Sequence, residues 1–201
     1  NHNEFIEKHM DECQQIYLMS EYTLATSNSI EVNFSASYYD QQVKIDYNHD
    51  PKVWWEVIDR TTNAVVPTEN WDYNKEKNIV KIDNCEKFHE YTVTFLAYVI
   101  WDPTQMYNHI TNNWGDVPHD IPFDVRKPNS NKYIFEYMSQ WLKENPDTDV
   151  VRFTTFFYHF TLIFNNLAKE KFVDWCGYGA SVSTEAILAF EEEYGYRLRP
   201  E

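Results

Sequence analysis

The stretch from Tyr91 to Asn108, YTVTFLAYVIWDPTQMYN, sets an almost unbroken apolar run against a polar and aromatic tail. A run without alternation fits a strand covered on both faces, as in the sheet of an α/β protein. The tail then breaks the run at Trp101, Asp102 and Pro103 and resumes at helical spacing from about Thr104 to Asn113. In a (β/α) barrel the working residues lie where a strand ends and its loop begins, so this tail is expected to line the mouth of a pocket. Asp102 before Pro103 equally has the residue types of a turn or helix cap. Asn108 sits inside the helical stretch, where its propensity is poor, which points to a task for its side chain.

Working toward the C-terminus, a Pro-containing loop leads to a helical pattern from about Asn131 to Glu144, with Ile134, Tyr137, Met138 and Trp141 on one face. TDVVRFTTF reads as the next buried strand, YHFTLIFNNLAKE as a helix and KFVDWCGYG as a short strand. STEAILAFEEEYG is a well-signalled last helix: Ser183 or Thr184 can cap it, Glu185 lies in its first turn and Gly195 stops it. Alternating strands and helices indicate parallel βα units. The expected fold is therefore α/β, part of a (β/α) TIM-like barrel, with a doubly wound sheet as the second reading.

Toward the N-terminus, residues 22–87 hold short β-rich runs (SIEVNFSASYY, QVKIDY, KVWWEVID, NIVKID) divided by Asn, Asp, Pro and Thr clusters at hairpin spacing. They read as a small antiparallel insertion. From Glu4 to Ser20, Phe5, Ile6, His9, Met10, Cys13, Ile16 and Tyr17 recur at helical spacing, so residues 1–21 are expected to carry a helix belonging to the barrel. Residues 88–201 then hold the βα units.

Two further strand ends carry candidates. Arg152 interrupts an apolar strand, where a guanidinium must be paired, by a carboxylate or by ligand oxygens. His159 stands near a helix start, where a structural role is the commoner one. In VDWCGYGAS, Asp174 could orient a hydroxyl, Trp175 and Tyr178 could stack on an apolar sugar face, and Gly177 and Gly179 would let the backbone turn sharply. Cys176 has no cationic neighbour in sequence to activate it. Nucleotide-loop, nucleophile-elbow and zinc-protease motifs are missing, and nothing in the spacing suggests a metal site.

Composition narrows the partners. With 32 acidic against 17 basic residues the formal net charge is −15, which opposes a phosphate backbone or an anionic membrane surface, so neither nucleic acid nor a membrane is expected. Aromatic residues make up 17% of the chain, enough to supply both a core and ligand-facing surfaces. Three widely spaced cysteines fit no disulfide framework, and no signal pattern or long apolar run appears, so a cytoplasmic location is expected. The lack of an initiating Met suggests a piece excised from a longer protein.

With these residues in view, the chain resembles the glycoside hydrolase family that contains the galacto-N-biose/lacto-N-biose phosphorylases. The resemblance rests on FHEYTVTFLAYVIWDPTQMYNHITNNW, FDVRKP, DVVRFTTFFYHFTLIF and KFVDWCGYGASVSTEAILAFEEEYGYRLRPE, and is specific mainly from Phe88 onward. It implies an inverting phosphorylase that cleaves a β-galactosyl linkage to N-acetylhexosamine, or to rhamnose, with inorganic phosphate to give α-galactose 1-phosphate. No metal or other cofactor is implied, only phosphate as co-substrate. The resemblance also implies that Asn108 and Arg152 hold galactose hydroxyls and that Pro103 and Thr104 face the acceptor sugar. Trp175 and Tyr178 would lie near the same pocket. The general acid and an arginine for phosphate are expected outside these residues, so neither Asp102 nor Asp174 is assigned as catalytic, and a homodimer of the parent is left open.

Two rivals are weighed against it. A β-galactoside hydrolase needs two carboxylates in one pocket. A carbohydrate-binding module would display Trp54, Trp55 and Trp71 in an exposed row, whereas an insertion packed on a barrel would bury Trp54 or Trp55, neighbours expected on opposite faces of one strand.

Overall fold

A computed structural model describes residues 2–113, 115–151, 162–164, 170–172 and 179–199. The N-terminal segment forms a one-turn helix α1 (Asn3–Ile6), a 3-10 turn at Met10–Glu12 and strand β1 (Gln15–Met19). This corrects the helix expected over residues 4–20. Gln15 to Leu18 are all buried, and a strand covered on both faces offers apolar residues at every spacing, so helical periodicity is satisfied by accident.

The β-rich region follows as β2 (Thr23–Leu24), β3 (Ser29–Asn33), β4 (Val43–Ile45), the short helix α2 (Pro51–Trp54), β5 (Glu56–Asp59), β6 (Ala64–Val65), β7 (Trp71–Asn74) and β8 (Ile79–Asp83). Local chemistry explains its punctuation. Asp50 accepts from the Lys52 backbone N–H at 3.0 Å and Pro51 occupies the first helical position, so DPKVW starts a turn of helix within the expected strand. Asn74 accepts from the Glu76 and Lys77 backbone N–H groups, and Asn78 takes a positive φ of 52°, which closes the β7–β8 hairpin.

Next come β9 (Glu90–Val99), α3 (Pro103–Asn112), α4 (Pro128–Glu144), β10 (Leu162–Phe164), β11 (Glu170–Phe172), β12 (Gly179–Val182) and α5 (Thr184–Tyr194). Tyr91 through Val99 are buried without a break, as the apolar run predicts. Strand β9 is central: β1 and β2 pair along one edge, β5 and β4 along the other, and β12 extends the sheet beyond β1. The sheet thus takes strands from all three segments delimited in the sequence. A separate three-stranded sheet, β3-β8-β7, packs its Val32, Val80, Ile82 and Trp71 into the same core. At the centre Trp55 meets Phe34 edge-on at 5.0 Å and packs beside Phe95, Tyr47 and Tyr73.

Every strand pair among the described residues is antiparallel. The parallel pairing expected of βα units is therefore not what joins these strands, and the architecture is mixed α/β with antiparallel sheets. Leu162–Phe164 is a strand paired with β11 where a helix was expected, because a short apolar run between polar groups satisfies either period. Residues 148–151, the start of an expected strand, are irregular. The last helix matches closely: Ser183 Oγ accepts from the Ala186 N–H at 3.3 Å, and Gly195 ends it in the left-handed conformation at φ 77°.

Candidate functional site

The exit of β9 is built as the sequence suggests, from strand to cap to helix. Asp102 Oδ1 accepts from the Gln105 backbone N–H at 2.9 Å, and its carbonyl accepts from the Met106 N–H. Asp102 is thus the N-cap of α3, and Pro103, buried, is its first residue. Positions 104 and 108 stand one turn apart along this helix, so Pro103, Thr104 and Asn108 are brought onto one element. Asn108 is half-buried. The Asn112 amide reaches its oxygen at 3.5 Å, and its own amide donors are uncommitted among the described residues. Arg152, Trp175 and Tyr178, together with His159, Asp174, Cys176 and Gly177, lie outside the described residues.

Around the cap lies a cluster that the sequence did not single out. Trp101, 4% exposed, has His119 stacked on it with ring centroids 3.4 Å apart, and His109 meets it edge-on at 5.3 Å. Burial, with His109 close by, lowers the His119 pKa from its ordinary value and favours the neutral ring. His109 Nδ1 is buried with no partner among the described residues. Gln105 ties the parts together. Its Oε1 accepts from Trp101 Nε1 at 2.8 Å and from the Asp120 N–H at 2.7 Å, while its Nε2 donates to the Pro118 carbonyl at 3.0 Å. The Trp and His of this stretch were visible as residues, but their stacking depends on a loop returning from Pro118 to Asp120, which no local pattern encodes.

A second polar network lies behind the same end of the sheet. Asp46 Oδ2 meets His49 Nδ1 at 2.8 Å and accepts from Gln15 Nε2 at 2.9 Å, and His49 Nε2 lies 3.3 Å from Thr184 Oγ1. Burial works against ionisation of Asp46, but the His49 and Gln15 hydrogen bonds outweigh it and hold its carboxyl below the usual range. An Asp–His–Thr order resembles a nucleophilic relay. Thr184, however, is only 1% exposed and its hydroxyl also donates to Gln15 Oε1, so no substrate reaches it. The network is a lock between sheet and helix.

A cleft of about 110 Å³ lies elsewhere, against Trp54, Trp71, Lys52 and Arg197. It is smaller than the roughly 300 Å³ at which small-molecule pockets begin. Its cations are engaged: Lys52 sits over the Trp71 ring, and Arg197 covers Trp54 and pairs with Glu191. Trp54, Trp55 and Trp71 are all buried, so the exposed aromatic row of a binding module is absent. Among the described residues no His, Cys, Asp and Glu group is suited to a metal ion, and no helix is long and apolar enough to cross a membrane. Burial pushes the Cys13 thiol up to about 12, which makes it inert as a nucleophile.

The structure defines a mixed α/β domain whose central strand ends in a capped helix carrying the candidate contacts. All of it, residues 1–201, matches the family described as lacto-N-biose phosphorylase N-terminal TIM barrel domain, and the chain belongs to that family. It is 50% identical to a 1,3-β-galactosyl-N-acetylhexosamine phosphorylase of Bifidobacterium longum subsp. longum, over 100% of this chain and 27% of that protein. An enzyme of the same name from Lachnoclostridium phytofermentans is 53% identical over 95% of the chain and 26% of its own length. A D-galactosyl-β-1→4-L-rhamnose phosphorylase from that organism is 33% identical over 100% of the chain and 28% of its own length. The chain thus spans little more than a quarter of the relatives it matches.

Proposed function

We propose that this chain is part of the barrel of an inverting phosphorylase that cleaves β-galactosyl-N-acetylhexosamine, or galactosyl-rhamnose, with inorganic phosphate and releases α-galactose 1-phosphate. The observation that carries the reading is the identity to phosphorylases named for these substrates across essentially the whole chain. Asn108 and Arg152 hold galactose hydroxyls, Pro103 and Thr104 face the acceptor, and Trp175 and Tyr178 border the same pocket. The half-buried Asn108, whose amide donors find no partner among the described residues, is consistent with such a role. The protein acts in the cytoplasm without a metal.

The chemistry is direct displacement. A carboxylic acid contributed from elsewhere in the parent protonates the departing oxygen while phosphate attacks the anomeric carbon from the opposite face. Phosphate carries its own negative charge, so no protein base is needed to activate a water as in an inverting hydrolase. Asp102 is committed to the cap of α3, which argues against its serving as the acid.

The test is an assay of the full-length parent on galacto-N-biose, lacto-N-biose and galactosyl-rhamnose, with and without phosphate. Phosphate-dependent release of galactose 1-phosphate is expected. Release of free galactose without phosphate would make the enzyme a hydrolase.

A further inference from the structure

The geometry points to Gln105 as a positioning residue for the acceptor sugar, acting through the first turn of α3. It makes four hydrogen bonds that converge from two parts of the chain, Trp101 with Asp102 at the end of β9 and Pro118 with Asp120 in the returning loop. Its backbone N–H is held by Asp102 at 2.9 Å, its Oε1 collects Trp101 Nε1–H and the Asp120 N–H, and its Nε2 donates to the Pro118 carbonyl. The amide orientation is set by this pattern, because a flipped amide would face two donors with its own N–H groups and a carbonyl with its oxygen. The Asp102 N–H adds a 2.6 Å bond to the Asp120 carbonyl, and His119 between them stacks on Trp101. Residues 115, 116 and 118 of this loop are exposed; beyond its Asn3 and Ile121 anchors, these contacts are what join it to the end of β9 and the first turn of α3.

The inference rests on the phosphorylase reading, in which Pro103 and Thr104 face the acceptor. Gln105 adjoins both, and its side chain fixes where the first turn of α3 sits relative to the strand end and the loop. Asn108, assigned to galactose, stands further along the helix and makes none of these contacts. Disturbing Gln105 therefore shifts the acceptor side of the site more than the galactose side, and misplacement on the scale of an ångström costs up to about 100-fold.

The experiment uses the full-length parent in the synthetic direction, measuring KM separately for galactose 1-phosphate and for N-acetylglucosamine, N-acetylgalactosamine or rhamnose, whichever the wild type accepts. Gln105→Glu keeps an oxygen for Trp101 and Asp120 but sets a second oxygen against the Pro118 carbonyl. Gln105→Met removes all three side-chain bonds. Acceptor KM is expected to rise about 10-fold in Gln105→Glu and further in Gln105→Met, with KM for galactose 1-phosphate within about twofold of wild type. Unchanged acceptor KM in a folded Gln105→Glu protein, or equal changes for both substrates, overturns the inference and leaves the phosphorylase reading intact. If Gln105→Met does not fold, Gln105→Glu alone decides. A wild type that forms no product with any acceptor overturns both.

Discussion

Helices α4 and α5 begin side by side and are held in opposite ways. Helix α5 carries its own cap, Ser183, one residue before its first turn, and adds the Gln15 oxygen, which accepts from the Thr184 N–H and hydroxyl at 3.0 Å. Helix α4 has no side-chain cap from its own N-cap residue, Lys127. Its orphan donors go instead to Glu12, more than a hundred residues earlier. Glu12 accepts from the Ser130 N–H at 2.6 Å, the Ser130 hydroxyl at 2.7 Å and the Asn129 side chain at 2.8 Å. Lys127, in turn, pairs with Glu185 in the first turn of α5. A helix end can thus be completed locally or by the fold, and only the local solution leaves a mark beside the helix.

The difference predicts unequal sensitivities. Glu12→Ala strands buried donors at the start of α4 and should cost about 3 kcal/mol, read as a lower urea midpoint of the parent protein. A loss below about 1 kcal/mol would show that α4 caps itself in solution. The acid response follows from the same residue. Burial opposes ionisation of Glu12, but the Ser130 and Asn129 hydrogen bonds dominate and lower its pKa. Since the unfolded chain takes up the proton first, this stabilisation is present above the ordinary glutamate range and is lost as pH falls through the lower folded value. Glu12→Gln should accordingly flatten the acid limb of a stability-against-pH curve, and an unaltered limb would assign acid sensitivity to other groups such as Asp46. Ser183→Ala is the smallest effect, about 1 kcal/mol, because Gln15 still serves the neighbouring N–H. A loss as large as that of Glu12→Ala would erase the contrast.

The same contrast governs what could be read from the sequence. Helix α5, with Ser183 and Gly195 at its ends, and strand β9, with its unbroken apolar run, were legible because their signals are local. So were α3 and its Asp102 cap. The N-terminal segment was misread because β1 is covered on both faces and mimics helical spacing, and the polar residues that should have argued against a helix, Glu12 and Gln15, are buried for reasons that lie at Ser130 and Thr184. Alternation likewise left the pairing of the described strands unread, since it fixes the order of elements but not which strands become neighbours, and most of the two later strands expected from it, within 148–156 and 171–179, lies outside the described residues. At the candidate site, the Pro103–Asn108 helix was visible while Gln105 was not. A glutamine on a helix looks like an ordinary solvated residue until the loop from Pro118 to Asp120 returns to meet it.

Strand β1 sits between β9 and β12, with Gln15 opposite both Tyr98 and Val182. Seen from the ribosome, this is a question of waiting. At a synthesis rate of about 5 to 20 residues per second, the partner on its second edge emerges roughly ten to thirty seconds after β1 itself. The hairpin of β7 and β8 closes within microseconds of appearing. Until β12 arrives, β1 presents an unpaired edge of buried-type residues, Ile16, Tyr17 and Leu18, which is the form of surface that recruits chaperones or neighbouring chains. The order of translation therefore leaves β1, which precedes the other described strands, among the last of them to be satisfied.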